Sequence, residues 1–298
     1  MTSRIKKVST LLLSLLAAAA PLLALTKQEF KQHERELKLA IQSIAKTNDS
    51  TQRIEQNNAF AAQLEQTLRQ DSAFFYAFDS IPYLYRVASA DGLVRVITWN
   101  VPLPGRQEYF GFVLSRSSAA AAQATLHVLR DKRMHTKLVE GRTLGVDEWF
   151  GALYTKLVDR QHHLTGKPVY TLLGLSPCNN GISNKKVVDV LNVDSSGRCS
   201  FGAPIFVRKN KVTCRLIFEY SAEAVMDLRY HEGMKQIVFH NLMPMYSQLR
   251  GRYESYIPSD SYNALRFENG RWIFHENVDI PSSVAVRRWR GSSRRGSR

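Results

Sequence analysis

From Phe74 onward, short runs rich in Val, Ile, Leu and aromatic residues follow one another at close spacing, most of them bounded by turn residues. No other feature limits the fold as strongly. Strands with no room for a helix between them must pair as antiparallel hairpins and meanders, because a parallel βαβ unit needs a crossover of a dozen or more residues. The runs are 93–100 (LVRVITWN), 109–115, 124–130, 149–158, 169–175, 203–208, 212–220, 224–230, 236–242 and 271–276. Asp91-Gly92, Asn179-Asn180-Gly181, Ser196-Gly197, Glu232-Gly233 and Asn269-Gly270 supply corner residues that tolerate positive φ. Asn269-Gly270, between Phe267 and Trp272, is the strongest two-residue hairpin signal among them. Residues 184–192 (NKKVVDVLN) read two ways: a short helix capped by Asn184 with Val187 and Leu191 inward, or a strand. No internal repeat supports a propeller.

Before this region the period changes. Thr26-x-x-Glu29 is a capping-box pattern, in which the hydroxyl takes a free first-turn N–H and the carboxylate reaches back. Phe30, Leu37, Ile41 and Ile44 then fall on one helical face; Asp49-x-x-Gln52 restarts a helix after Asn48-Asp49-Ser50, with Ile54, Ala61, Leu64 and Leu68 as its stripe. Neither stripe is wide enough for a domain of its own, so the pair is expected to pack on the strands. The expected fold is α+β: an N-terminal helical hairpin (26–72) packed on a mainly antiparallel β-sandwich or open barrel (73–283).

Charge separates the two ends from this middle. The chain has 41 Lys and Arg against 26 Asp and Glu, a formal +15. Arg4, Lys6 and Lys7 precede any acid, and six arginines follow Pro281 with none, so the middle holds 32 bases against 26 acids. That excess is too small to point to nucleic acid. A basic start followed by an uncharged Leu/Ala-rich run to Leu25 has the order of a secretory signal (1–25), although the cleavage site is poor. The alternative is an uncleaved anchor, since Ser9–Leu25 is at the short end of a membrane span. Residues 284–298, ending VRRWRGSSRRGSR, have no apolar period and read as a disordered basic tail. Arg287, Arg288, Trp289, Arg290, Arg294 and Arg295 are its candidate contacts to an anionic surface, either anionic lipid or lipopolysaccharide.

The chain carries few motifs of known chemistry. There is no G-x-S-x-G elbow, Walker loop, dinucleotide fingerprint or H-E-x-x-H, so no cofactor is implied. Asn192-x-Asp194-x-Ser196-Gly197 starts like a calcium loop, but Ala203 stands where the bidentate Glu belongs, and a hairpin turn is the expected use. His162-His163 lies in a polar loop. His231 and Glu232 with His240 form the one acid–base grouping, with poor geometry: a 224–230/236–242 hairpin puts His231 at its corner and His240 at its far end. Asp189, Glu219, Asp227 and Asp279 are scattered. Trp99, Trp149, Trp272, Tyr83, Tyr85, Tyr109, Tyr170 and Tyr256 are enough aromatics to line a groove, with core packing expected for most. Of three cysteines, Cys214 alternates with Val212, Leu216, Phe218 and Tyr220 and reads as a buried hydrophobe; if a bridge forms, Cys178–Cys199 is the expected pair, since both sit in polar turns.

Several short motifs in order carry a resemblance: Phe78-Asp79-Ser80, Arg95-Val96-Ile97-Thr98-Trp99-Asn100, Tyr109-Phe110-Gly111, Trp149-Phe150-Gly151-Ala152-Leu153-Tyr154, Tyr170-Thr171-Leu172-Leu173-Gly174, Ser183-Asn184-Lys185-Lys186, Phe201-Gly202-Ala203-Pro204, Phe218-Glu219-Tyr220-Ser221 and Ile237-Val238-Phe239. Over about residues 74–280 the chain resembles an uncharacterised family of exported proteins from Bacteroidota. The resemblance implies export and a common fold, and transfers no catalytic residue. Two functions stand as expectations. One is a non-enzymatic binding or structural protein of the periplasm or envelope, acting on another envelope component. The other is a hydrolase of envelope polymers with a carboxylate/His site assembled from distant strands.

Overall fold

Thr26 caps the first helix as its spacing predicts. Its hydroxyl accepts the Glu29 N–H, and the Glu29 carboxylate accepts the Thr26 N–H at 2.6 Å, opening α1 (Lys27–Lys46). Asp49 accepts the Gln52 N–H at 2.8 Å and opens α2 (Ser50–Leu68). The computed structural model describes residues 25–121, 123–135, 139–162 and 164–280. The expected signal segment, up to residue 24, and the expected basic tail 284–298 lie outside the described residues. Among the described residues no helix is long and apolar enough to cross a membrane.

Among the described residues sixteen strands form three sheets. The first is a meander of β1 (Tyr85–Ala88), β2 (Val94–Leu103), β3 (Arg106–Ser115) and β4 (Thr125–Arg130). The second begins with β5 (Leu144–Gly145), β6 (Leu153–Gln161), β7 (Pro168–Pro177), β8 (Ser183–Val193) and β9 (Cys199–Phe201). The chain then leaves it for β10 (Phe206–Arg208) and β11 (Lys211–Thr213) of the third sheet, returns with β12 (Leu216–Ser221) beside β8, and completes the third sheet with β13 (Leu228–His231), β14 (Gln236–Pro244), β15 (Tyr256–Glu268) and β16 (Arg271–His275). All named strand pairs are antiparallel except β10 with β16, which closes the third sheet in parallel register, Phe206 opposite Trp272. The fold is therefore α+β with mainly antiparallel, sandwich-like packing, as expected.

The layers follow from side-chain alternation. Along β2, Ile97, Trp99, Val101 and Leu103 point toward the helices, where they meet Phe30, Leu37, Ile41, Phe60 and Leu64. Val94 and Val96 point the other way and pack with Leu172, Val187 and Leu191 of the second sheet. The opposite face of that sheet, Leu173, Val188 and Val190, meets Phe239, Leu265 and Trp272 of the third. The second sheet is thus buried on both faces, which explains the unbroken apolar run Val187–Leu191 apart from one aspartate. This resolves the ambiguity at 184–192 in favour of a strand.

Two expectations need correction, and one strand has no sequence signal. The run 212–220 is two strands in different sheets, broken at Cys214-Arg215 because Arg215 turns into the core; Val212 is left 46% exposed and only Cys214 and Tyr220 of the expected face are buried. All three cysteines are free. Cys178 sits beside Ser183 at one end of β8 and Cys199 pairs with Val193 at the other. Ten strand steps put them about 30 Å apart, well beyond the ~7 Å between Cα atoms that a bridge tolerates. Burial also pushes the Cys199 thiol up to about 12, so it is an inert side chain. Finally, the region 256–268, with Pro258, Ser259 and Asp260, lacks strand periodicity yet forms the longest strand, β15.

Candidate functional site

The return from the third sheet to the second creates the most distinctive local structure. Arg215, fully buried, aims its Nε at Asp189 Oδ2 (3.0 Å) in the middle of β8. Its other nitrogens donate to the carbonyls of Phe201 (2.9 Å), Arg142 (3.1 Å) and Val139. Gly202 makes room for this: at φ +94° a side chain is strained, and a Cβ would lie 2.9 Å from Arg215 Nη2. Asp189 also accepts the Val190 N–H at 2.8 Å, while burial pushes its carboxyl above the usual range against the pull of Arg215. The pair is structural: it pins the segment Val139–Arg142 to the crossing, and Glu140 within that segment caps β12 by accepting the Ile217 N–H at 3.0 Å.

Beside this crossing lies an open cleft of about 960 Å³. Its lining includes four consecutive residues of β12, Leu216 to Glu219. Successive strand residues point to opposite faces, so one cavity touches all four only if it runs along the edge of the strand. Across from them are Phe239–Leu242 of β14, Tyr256 and Asn263 of β15, and Phe274. One lip is the β10–β11 hairpin, where Arg208 and Lys209 share the single carboxylate of Glu276 (3.2 and 3.9 Å) and Lys211 has no ion-pair partner among the described residues. The other lip carries Tyr253, next to the exposed Arg252–Glu254 ion pair (3.2 Å). The floor is apolar and the β10–β11 lip is basic.

The carboxylates of the cleft, its Arg133 and its His240 are all engaged. Glu219 accepts from Ser183 Oγ at 2.6 Å and lies 3.7 Å from Lys185. Arg133 stacks on Tyr109 and donates to Ser176 Oγ at 2.9 Å. His240 stacks on Tyr262, and its Nδ1 accepts the Asp227 N–H at 2.9 Å. An Nδ1 that accepts cannot carry the proton, so the neutral ring carries it on Nε2. Burial lowers the His240 pKa in the same direction, more strongly than Asp227 raises it. His240 is thus a hydrogen-bond donor at neutral pH, not a base.

The residues singled out in the sequence divide as follows. His231 sits at the hairpin corner, taking the Met234 N–H at 3.1 Å, and Glu232 pairs with Lys156; neither meets His240. Glu219 and His240 reach the cleft, Asp189 lies beneath it, and Asp279 is exposed elsewhere. Asp194 is the anchor of the β8–β9 turn, accepting from the Ser196 hydroxyl and N–H and from Arg198; these bonds, that of the Ser196 hydroxyl first, hold its carboxyl well below the usual range. His162 packs against Gly270, and His163 lies outside the described residues. Trp99, Trp149 and Trp272 are fully buried, as are Tyr109 and Tyr170 within a few percent, while Tyr256 lines the cleft. The sequence reading missed Lys211, Phe218, Phe274 and the edge itself; an odd signal was present in Leu216-Ile217-Phe218, three large apolar residues in a row with no alternation. Among the described residues no group of three His, Cys, Asp or Glu side chains is placed to hold a metal. No known protein family, curated protein or solved structure matches the chain.

Proposed function

We propose that this is an exported cell-envelope protein that binds another envelope component in the β12 cleft without transforming it. The carrying observation is that the cleft pairs an apolar floor with a basic β10–β11 lip while its carboxylates and its histidine are already fixed: Glu140 on the Ile217 N–H, Glu219 on Ser183, and His240 with its acceptor nitrogen on Asp227. Such a cavity offers contact area and charge rather than a reaction centre. The basic–apolar order of residues 1–25 supports export. The test is retention of solubilised envelope fractions by the immobilised full chain, compared with a Phe218→Asp variant. Loss of retention with Phe218→Asp supports the reading; unchanged retention removes the cleft from it.

The basic tail extends the proposal. Arg287, Arg288, Trp289, Arg290, Arg294 and Arg295 tether the protein to anionic lipid or lipopolysaccharide, a contact that weakens with salt. Binding to anionic vesicles should fall on deletion of 287–298, and equal binding after deletion rules the tether out.

One observation favours a second reading, hydrolysis of an envelope polymer: His240 lies on the cleft wall with Asp227 beside it. Release of soluble fragments from purified envelope polymers, abolished by His240→Ala, would establish it in place of the first.

A further inference from the structure

We propose that the cleft takes an extended acidic peptide segment of another protein, added as a strand to the free edge of β12. The inference rests on the binding reading above and names its ligand class. β12 pairs with β8 alone, with Leu216 opposite Val188 and Glu219 opposite Lys185. The Ile217 N–H points away from β8, because it is taken by the Glu140 carboxylate. Alternation then turns the Ile217 carbonyl and both backbone groups of Glu219 to the same open side, and none of them has a partner among the described residues. Glu140 occupies one position of this edge as a strand carbonyl would, and the cleft runs along the positions that follow, Ile217 to Glu219.

Sheet edges are usually guarded by charge, bulges or brevity. The opposite edge of the same sheet shows this: β6 carries a bulge between Tyr154 and Lys156, and has Lys156, Asp159 and Arg160 along it. β12 has neither device. Its one charged residue, Glu219, has its carboxylate drawn aside to Ser183 and Lys185. The side chains flanking the edge, Leu216, Ile217 and Phe218, remain only half buried. This combination of open backbone groups, flanking apolar surface and an adjoining cavity is what strand addition uses: main-chain bonds for affinity and side-chain pockets for selectivity. The charge of the occupant follows from the lips. Arg208 and Lys209 share one carboxylate and Lys211 has none, so the mouth favours alternating acidic residues. A polysaccharide would satisfy the charge but leave the backbone groups of β12 without strand partners.

The test uses the full chain and three probes: a fluorescein-labelled octapeptide of alternating Glu and Val, the same peptide with Lys for Glu, and labelled polygalacturonate. Fluorescence anisotropy should show binding of the acidic peptide and binding at least tenfold weaker for the Lys peptide. Two variants separate backbone from side chain. Glu219→Ala and Glu219→Pro both remove the carboxylate, but only proline removes the N–H, and it does so on the side away from β8. The proposal expects Glu219→Pro to bind the acidic peptide at least tenfold more weakly than Glu219→Ala, and Lys211→Glu to weaken it several-fold. Equal affinity of the two Glu219 variants overturns strand addition. In the wild-type chain the Glu219 amide should gain protection from hydrogen exchange on peptide binding, a readout that needs no variant to fold; unchanged exchange in the bound complex overturns the proposal. Tighter binding of polygalacturonate than of peptide overturns it while leaving the binding reading intact. Failure of all three probes also overturns it, and the envelope-retention experiment then decides the binding reading separately.

Discussion

Replacing Arg215 with Met tests the role given to the buried crossing. Methionine fills much of the arginine stem but leaves Asp189 charged and unmatched in the core. Breaking a buried ion pair by removing one partner costs about 3–5 kcal/mol. The carbonyls of Val139 and Arg142 lie in a surface segment and regain water when it relaxes. The Phe201 carbonyl lies behind Gly202 and adds about 1–3 kcal/mol for its lost donor. The expected total is about 5 kcal/mol, a large part of the roughly 5–15 kcal/mol that holds a domain together. At a urea slope of about 3 kcal/mol/M this moves the unfolding midpoint down by about 1.5 M. Acid should narrow the gap. Burial already raises the Asp189 carboxyl, and without the guanidinium it rises further. A carboxyl whose folded pKa is raised stabilises the fold in its protonated form, and that contribution is lost as pH rises through the folded value. The variant therefore recovers relative to wild type as pH falls. Adding Asp189→Leu to Arg215→Met removes the stranded charge and should restore most of the loss. A single variant within about 1 kcal/mol of wild type, or a double variant no better than the single, would refute the reasoning.

Two further outcomes follow from other contacts. His240 has its folded pKa lowered from 6.5, so the stability it contributes is complete above that value and is lost as pH falls toward the folded pKa; urea midpoints measured from neutral to about pH 5 should decline less in His240→Asn than in wild type. Asn57 accepts the buried indole N–H of Trp99 at 2.8 Å, so Asn57→Ala should cost about 1–3 kcal/mol, and a loss under about 0.5 kcal/mol would mean that water replaces the bond.

The helical hairpin was legible because its signals are local: a Thr cap, a Glu three residues on, and Phe30, Leu37, Ile41 and Ile44 at helical spacing. Phe60 and Asn57 escaped the second stripe, Asn57 because a polar residue facing a core makes sense only once Trp99 is seen above it. Most strand centres were legible, as was the Asn269-Gly270 turn, whose residues both take positive φ. The strand β15 was hidden because its outer half pairs with β14 alone, in an arm beyond the reach of β13 and β16, and carries polar residues. The break at Cys214-Arg215 was hidden because its cause, Asp189, lies 26 residues earlier. The cleft was least legible. Its lips, floor and edge come from seven strands, and no short motif records that β12 is paired on one side only.

The doubly covered second sheet has a consequence for the order in which the chain can become stable. One of its faces is sealed by residues near the end of the folded region, down to Trp272, whose indole N–H bonds Thr171 across 101 residues. Its edge strand β12 arrives only after the third sheet has begun. A chain emerging from its N-terminus can therefore form the helices and the first meander early, but its centre stays exposed until β16 has appeared. The middle layer therefore closes only after Trp272 has been made. Fragments ending ahead of Arg271 should accordingly be sensitive to proteolysis within β7 and β8 while the first sheet resists.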